Sequence, residues 1–340
     1  MKAISILNQK GGCSKTTTAV NLSCALAKNN YPTLVIDFDP QAHTTFSLGI
    51  SSTKGVYEVV ENFLAQKNIQ WEEYIVKRDE NLFVLPASIG LTSMEHKLAE
   101  REDKLFILYK ILNSFPLPYQ YCVVDCPPNL GLLSLNALVG GNFIVIPFTV
   151  CDLSLQGIII LNQIIDMMKK NFPIHHDIFY LLTQYNRRFH YSKQFLEKAR
   201  NILKDKLLKT VIRTNVALKE ASSLGKSIFE HKPRSRGACD YQNLAQEIIN
   251  LTQEVEWANF FFKGSNFREV YVVGDFNKWQ KDEKFRMKKI DWETWSISVP
   301  LRKGKYHYKF FADQTWLKDP LNIYEEDDSF GGKNSVLVIK

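Results

Sequence analysis

The sequence predicts an α/β domain built on a parallel sheet, followed by a small antiparallel β-sandwich. Three observations carry this. Residues 1–252 alternate short, near-continuous apolar runs with amphipathic stretches, the pattern of parallel strands buried on both faces and joined by helices. A glycine-bearing loop separates the first apolar run from the first amphipathic stretch. From Phe260 onward the helical period vanishes, and short aromatic and β-branched runs are punctuated by Gly, Asp, Asn and Pro, as in antiparallel strands joined by turns.

Taken in order, Ala3–Leu7, Thr33–Asp37, Leu82–Pro86, Tyr121–Asp125, Phe143–Pro147 and Ile178–Thr183 read as strands, each dominated by Val, Ile, Leu or Phe. Thr16–Lys28, Leu105–Asn113, Leu153–Lys170 and Ser192–Lys204 show helical periodicity, and Tyr241–Thr252 reads as a closing helix. Strand and helix in alternation imply right-handed crossovers over a parallel sheet. Residues 253–259 read as a linker. Within 260–340, Val270–Val273, Thr294–Val299, Tyr306–Ala312 and Ser335–Ile339 read as strands, with Trp295 in the core.

Composition narrows the class. The chain has 340 residues, 45% hydrophobic and 23% charged, which excludes a disordered or collagen-like polymer. No apolar run reaches the ~18 uninterrupted residues of a membrane span, and the N-terminus lacks a signal-peptide layout. The six cysteines are not in metal-binding spacing, so reduced thiols and a cytoplasmic location are expected. Net charge is +7. That excess permits attraction to nucleic acid or anionic lipid and selects neither.

Residues 8–17 read Asn-Gln-Lys-Gly-Gly-Cys-Ser-Lys-Thr-Thr, after an expected strand and opening an expected helix. Glycines let backbone N–H groups approach an anion, and the helix N-terminus adds partial positive charge. Lys15 is placed to reach β and γ phosphates and Thr16 to ligate Mg²⁺. The ordinary Walker spacing is not met: Gln9 stands at its first glycine and Ser14 at its last. Ser14 carries a Cβ where a positive φ is expected.

Lys10 accounts for the departure. The loop resembles that of the ParA/MinD (Soj-like) family of deviant Walker A ATPases, which have an extra signature lysine at this position. Ala-Val-Asn-Leu-Ser (19–23), Val-Ile-Asp-Phe-Asp-Pro-Gln (35–41), Val-Val-Asp-Cys-Pro-Pro-Asn-Leu-Gly (123–131), Ala-Ser-Ser-Leu-Gly-Lys-Ser-Ile (221–228) and Ser-Arg-Gly-Ala (235–238) are similar to further blocks of that family. The resemblance covers residues 1–252 and implies a parallel-sheet P-loop NTPase that uses ATP and Mg²⁺. By the same resemblance, Lys10 crosses a dimer interface to the partner's γ-phosphate. Lys15 binds phosphate, Asp39 positions the attacking water, and Thr16, Asp37 and Asp125 hold Mg²⁺. Gly11, Gly12, Cys13, Ser14 and Thr17 complete the nucleotide loop, with Asn186 at the adenine.

ParA-like members bind DNA non-specifically as ATP dimers, whereas MinD-like members use a basic C-terminal amphipathic helix on membranes. Here Gln246–Glu256 carries three glutamates and no lysine, which suits an anionic membrane poorly. Arg213, Lys219, Lys226, Lys232, Arg234 and Arg236 cluster and are the expected phosphate-neutralising set for DNA. The family often has Ile-Pro-Arg-Asn where this chain reads Ile212-Arg213-Thr214-Asn215.

Residues 267–340 resemble the glycogen-binding module of the AMP-activated protein kinase β subunit, an immunoglobulin-like sandwich. The matching stretches are Val-Tyr-Val-Val-Gly-Asp-Phe-Asn-Lys-Trp (270–279), Tyr-His-Tyr-Lys-Phe-Phe-Ala-Asp-Gln-Thr-Trp (306–316) and Asn-Ser-Val-Leu-Val (334–338). The resemblance implies sugar stacking on Trp279 and Trp316, with polar contacts from Lys309 and Asn334 and an apolar one near Phe330. An indole covers the C–H face of a glucose ring while Lys and Asn bond its hydroxyls. Such modules also serve as protein docking surfaces.

The expected function is therefore a ParA-type ATPase of chromosome or plasmid partition, nucleoid-associated, with a ParB-like centromere-binding partner and a C-terminal domain that takes a glucan or a protein. Two other readings stay open. One is an ATPase positioning polysaccharide or glycogen machinery; the other is a non-hydrolysing glycan-binding scaffold.

Overall fold

The computed structural model describes residues 1–88, 90–115, 119–172, 176–253, 256–328 and 331–339. The chain divides into two compact units, one of residues 1–164 with 176–249, the other mainly of residues 250–340.

In chain order the α/β part carries β1 (Lys2–Ile6), α1 (Lys15–Lys28), β2 (Thr33–Asp37), α2 (His43–Ser47), α3 (Val56–Leu64), β3 (Val76–Asp79), β4 (Leu82–Leu85), α4 (Leu91–Ala99), α5 (Ile107–Leu112), β5 (Tyr121–Asp125) and α6 (Leu132–Gly140). It continues with β6 (Phe143–Thr149), α7 (Asp152–Asn171), β7 (Asp177–Thr183), α8 (His190–Leu203), α9 (Val216–Ser223), α10 (Ile228–His231) and α11 (Arg236–Gln253). The seven strands form one sheet in the order β3-β4-β2-β5-β1-β6-β7. All neighbours run parallel except β3 and β4.

Burial explains the central strands. Val35, Ile36, Val123, Val124, Ile144 and Val145 are completely covered, and each such side chain stabilises the fold by about 1.5–3 kcal/mol over exposure. The parallel register then sets the chemistry. Asp125, the last residue of β5, lies opposite Asp37 at the end of β2 and Ile6 at the end of β1. Three strand ends thus meet beneath loop 8–14, at the edge where parallel sheets place their sites.

The six expected strands are present, two with the expected ends and four with an end shifted by one or two residues. β3 is an addition. Its sequence, Val-Lys-Arg-Asp, alternates half-buried and exposed positions and contains a register shift between Lys77 and Asp79. A charged, irregular edge strand lacks the apolar run that marks its neighbours. α2, α3, α4, α6, α9 and α10 are additions too. They span four to nine residues, too few for a helical period to show.

The C-terminal part carries β8 (Glu256–Lys263), β9 (Val270–Gly274), β10 (Lys288–Lys289), β11 (Thr294–Leu301), β12 (Gly304–Ala312), β13 (Thr315–Leu317), β14 (Glu325–Asp327) and β15 (Lys333–Ile339). One sheet runs β10-β11-β8; the other runs β13-β12-β15-β14, with β9 also paired to β12. Every pairing is antiparallel. Phe260, Phe262, Trp295, Ile297, Tyr308 and Phe310 fill the space between. Phe260 meets Tyr308 edge-on at 4.9 Å and Phe262 meets Phe310 at 5.2 Å, a geometry that aromatic quadrupoles favour. Trp295 is buried as expected, its indole N–H donating to the Gly264 carbonyl at 2.8 Å.

The stretch 253–259 is corrected from linker to structure over its second half. β8 begins at Glu256, and Trp257, Ala258 and Asn259 pair with Pro300, Val299 and Ser298. Their side chains alternate around one buried residue, Ala258, a pattern too short to separate from a polar connection by composition. Among the described residues, no helix is long and apolar enough to cross a membrane.

Candidate functional site

Loop 8–14 leaves β1 and turns into α1. Asn8 anchors it: its Nδ2 donates to the Pro147 carbonyl at 2.7 Å and its Oδ1 accepts from Lys10 N at 3.0 Å. Gly12 and Ser14 both adopt left-handed backbone, φ 73° and 72°. The conformation expected at position 14 is therefore present, held by a serine. A Cβ placed on Gly11 or Gly12 would meet nothing within 4 Å; the loop opens onto free space, as a phosphate cradle requires.

Lys15 is buried, and its ammonium donates to the Lys10 carbonyl at 3.2 Å. The Thr16 hydroxyl donates to Asp125 Oδ2 at 2.8 Å, and the Thr44 hydroxyl reaches the same oxygen at 2.8 Å. Asp125 is fully buried, and its other oxygen, Oδ1, has no hydrogen-bond partner. Asp37 differs. Its Oδ2 accepts from Thr45 N and Thr45 Oγ1 at 2.7 and 2.6 Å, and its Oδ1 accepts from Asp39 N at 3.3 Å. Asp37 thereby ties down the segment that carries Asp39, whose Oδ1 accepts from Gln41 N at 3.0 Å. Of the two expected Mg²⁺ carboxylates, Asp125 keeps an open oxygen and Asp37 is committed to the protein.

Burial drives the Asp125 carboxyl upward, and neighbouring Asp37 pushes it further. Burial also raises Asp37, against its hydrogen bonds from Thr45. Two carboxylates buried side by side favour a cation close by, and the open oxygen of Asp125 is where it would be met. Thr16, the open oxygen of Asp125 and the cradle suit Mg²⁺ with a nucleotide. Among the described residues no cluster of His, Cys, Asp and Glu could hold a metal unaided, so the remaining ligands of Mg²⁺ would be phosphate oxygens and water.

A cavity of about 550 Å³ opens beside the loop. Gly11, Gly12, Ser14, Lys15, Thr16, Thr17 and Asp39 line it, with Gln184, Thr214, Asn215, Val216 and Tyr241 on the far side. Cys13 is buried beneath the loop and does not line the cavity; Lys10 is exposed, its ammonium donating to Ser154 Oγ at 3.1 Å. Asn186, expected at the adenine, is not a lining residue either. Its Oδ1 accepts from Arg188 N at 3.1 Å. Gln184 does line the cavity, its Nε2 donating to the Gly12 carbonyl at 2.6 Å. The readable signal was its place: Gln184 follows the carboxyl end of β7 directly, while Asn186 lies two residues into the loop.

The six basic residues expected at DNA separate. Arg213 turns inward. Its Nε and Nη2 donate to Asp240 Oδ1 at 3.0 and 2.6 Å, and its own N–H donates to Oδ2 at 2.9 Å. This pair holds the guanidinium more firmly protonated than usual and gives its charge a partner within the protein. Lys232 pairs with Glu220 at 2.6 Å. Lys219, Lys226, Arg234 and Arg236 are exposed, with no ion pair among the described residues.

In the β domain, alternation along β12 points Tyr308, Phe310 and Ala312 into the core and His307, Lys309 and Phe311 outward. The outward face forms a cleft of about 700 Å³ lined by Asp275, Trp279, His307, Lys309, Trp316, Asp327, Asp328 and Asn334. All four expected sugar contacts meet here. The Trp279 and Trp316 rings lie 6.3 Å apart at 47°. Lys309 is spoken for, its ammonium held by Asp328 at 2.5 Å. Phe330 lies outside the described residues.

Residues 1–178 match the family model described as an AAA domain, and residues 258–340 match the glycogen recognition site of AMP-activated protein kinase. The sporulation initiation inhibitor protein Soj of Bacillus subtilis is 37% identical over 73% of this chain and 98% of its own. The chromosome partitioning protein ParA of Myxococcus xanthus is 34% identical over 73% of this chain and 88% of its own. Among solved structures, cobyrinic acid a,c-diamide synthase of Mycobacterium smegmatis, with an ATP analogue and magnesium bound, superposes with a TM-score of 0.62. It is 26% identical over 74% of this chain and 95% of its own.

Proposed function

The chain belongs to the Soj/ParA family of ATPases, and on that premise we propose that it is a nucleotide-switched partitioning protein. It dimerises on MgATP, binds DNA without sequence preference in that state, and releases it after hydrolysis. The observation that carries this reading is the split between its two loop lysines. Lys15 is buried in the cradle, while Lys10 stands exposed at its mouth. A buried lysine serves its own nucleotide; an exposed one is available to a second protomer.

ATP and Mg²⁺ supply a transferable phosphoryl group and the charge to stabilise its transfer. The chain supplies position. Lys15 and the loop amides hold phosphates, Thr16 and Asp125 hold the metal, and Asp39 orients water. Hydrolysis that needs Lys10 from a partner runs only in the dimer, so ATP times how long the dimer lasts. A ParB-like protein shortens that time, and the process served is chromosome or plasmid partition in the cytoplasm.

Lys219, Lys226, Arg234 and Arg236 are the DNA-facing set in this proposal, since their charges are not consumed inside the protein. The C-terminal cleft binds glucan through Trp279 and Trp316. That cleft also favours a second reading, in which the same ATPase positions polysaccharide machinery. Sedimentation tests the switch. A dimer in MgATP and a monomer in MgADP are expected; a monomer in both overturns the proposal.

A further inference from the structure

His307 lines the glucan cleft yet belongs to neither sugar-stacking nor hydroxyl-binding residues. Its Nδ1 lies 2.9 Å from Asp275 Oδ2, and its Nε2 lies 2.9 Å from Glu326 Oε2. A neutral imidazole has one N–H and one lone pair, so it can donate to only one of these carboxylates. The imidazolium donates to both.

Asp275 does a second job. Its Oδ1 accepts the Trp279 indole N–H at 3.0 Å, while its Oδ2 takes both His307 N and the His307 ring. Trp279 needs such a hold. It and Lys278 sit in left-handed backbone, φ 59° and 57°, a conformation that non-glycine residues adopt only under local constraint. We propose that protonated His307 is the positioning residue of this cleft: by bridging Asp275 and Glu326 it fixes the carboxylate that holds the Trp279 indole, so the grip on an uncharged sugar weakens as the proton leaves.

The charges around His307 support this. Asp275 faces it from the turn after β9 and Glu326 from β14. Lys305, on the same strand, reaches Glu326 at its other oxygen. Lys309 is already spent on Asp328, and Asp327 adds a further carboxylate to the cleft. Bonds to Glu326 and Asp275 hold the imidazole above its ordinary range, so the bridge itself favours the protonated ring.

This inference rests on the glucan reading of the cleft, and the test separates the two. Calorimetric titration of the full chain with maltoheptaose is run at about pH 6 and about pH 8.5, just below and well above the ordinary imidazole value. The unmodified chain should bind about 3- to 10-fold more weakly at the higher pH, roughly the net worth of one hydrogen bond. His307→Gln should bind equally at both. Binding that is pH-independent in the unmodified chain, or a pH dependence that survives in His307→Gln, overturns the role of His307 and leaves the glucan reading standing. No binding at either pH overturns both. A readout without ligand keeps the matter decidable. In 5-fluorotryptophan protein, the Trp279 resonance, assigned by its loss in Trp279→Phe, should move with pH in the unmodified chain and stay still in His307→Gln.

Discussion

Thr16 and Asp125, 109 residues apart, are joined by a 2.8 Å hydrogen bond that ties the start of α1 to the end of β5. Only one carboxylate oxygen is used, and the other is buried without a partner. An unsatisfied buried carboxylate oxygen is costly, and a divalent cation removes that cost. Asp125→Asn keeps the shape and removes the charge. A ligand at about 100 times its Kd stabilises by about 2.7 kcal/mol. In Asp125→Asn, the extra thermal stability that ATP gains from Mg²⁺ over EDTA should fall to less than half. A full Mg²⁺-dependent shift in the variant would show that Asp125 does not hold the metal.

Lys15 and Asp39 line the same cavity and should fail differently. Lys15→Ala removes a charge aimed at ground-state phosphate, so ATP affinity should drop about 10-fold or more. Asp39→Ala removes the group proposed to orient water, so affinity should hold while turnover falls about 10²- to 10⁴-fold. Equilibrium binding beside single-turnover hydrolysis separates them. Equal loss of affinity in both would merge the two roles.

Ser14 carries a strain that glycine would relieve. A residue with Cβ in left-handed backbone costs roughly 1–2 kcal/mol, against about 0.5–1 kcal/mol for the greater unfolded-state freedom of glycine. The hydrogen bond from Gln184 Nε2 to Ser14 Oγ, which glycine cannot make, is long at 3.3 Å. Ser14→Gly should therefore raise stability by up to about 1 kcal/mol and leave ATP binding intact, as read by chemical denaturation. A destabilised variant would mean that the hydroxyl matters more than the backbone.

Much of the fold is legible in the residues themselves. Buried parallel strands announce themselves as apolar runs, so the six strands that frame the nucleotide site are readable, as is left-handed backbone at Ser14. Side-chain pairing is not. Arg213 looks like its basic neighbours in sequence, and only the fold brings Asp240 from 27 residues away to neutralise it. Lys309 likewise looks free until the chain beyond β14 brings Asp328 to it. Asn186 and Gln184 differ by two residues, and the exact end of β7 decides which of them lines the cavity.

Arg213 and the exposed cations can be told apart by salt dependence. Arg213→Ala leaves a buried Asp240 carboxylate without its counter-ion and should cost about 1–3 kcal/mol of stability, with the DNA salt slope unchanged. Arg234→Ala with Arg236→Ala should leave stability within about 0.5 kcal/mol and reduce that slope by about 1 for each phosphate left without its cation. The reverse pattern would return Arg213 to the DNA set.

In the β domain, Trp316 is exposed and set edge-on against Phe311 at 4.9 Å. Trp316→Ala should weaken maltoheptaose binding by about 10-fold, roughly the worth of one stacked ring, without unfolding the domain. Lys309→Ala takes the Lys309 counter-ion from the largely covered Asp328 carboxylate and should lower domain stability by about 1–3 kcal/mol. Affinity electrophoresis and denaturation report the two effects. Unchanged binding in Trp316→Ala would remove that ring from the site.

The most direct test of the partitioning switch is fluorescence anisotropy of a random-sequence DNA duplex. It compares the full chain without nucleotide, with MgADP and with a slowly hydrolysed ATP analogue, at about 50 and about 200 mM salt, a range over which binding to phosphates weakens strongly. Binding in the ATP-analogue state alone, weakened by salt, is the result predicted. Binding that ignores nucleotide, or none in any state, would contradict it.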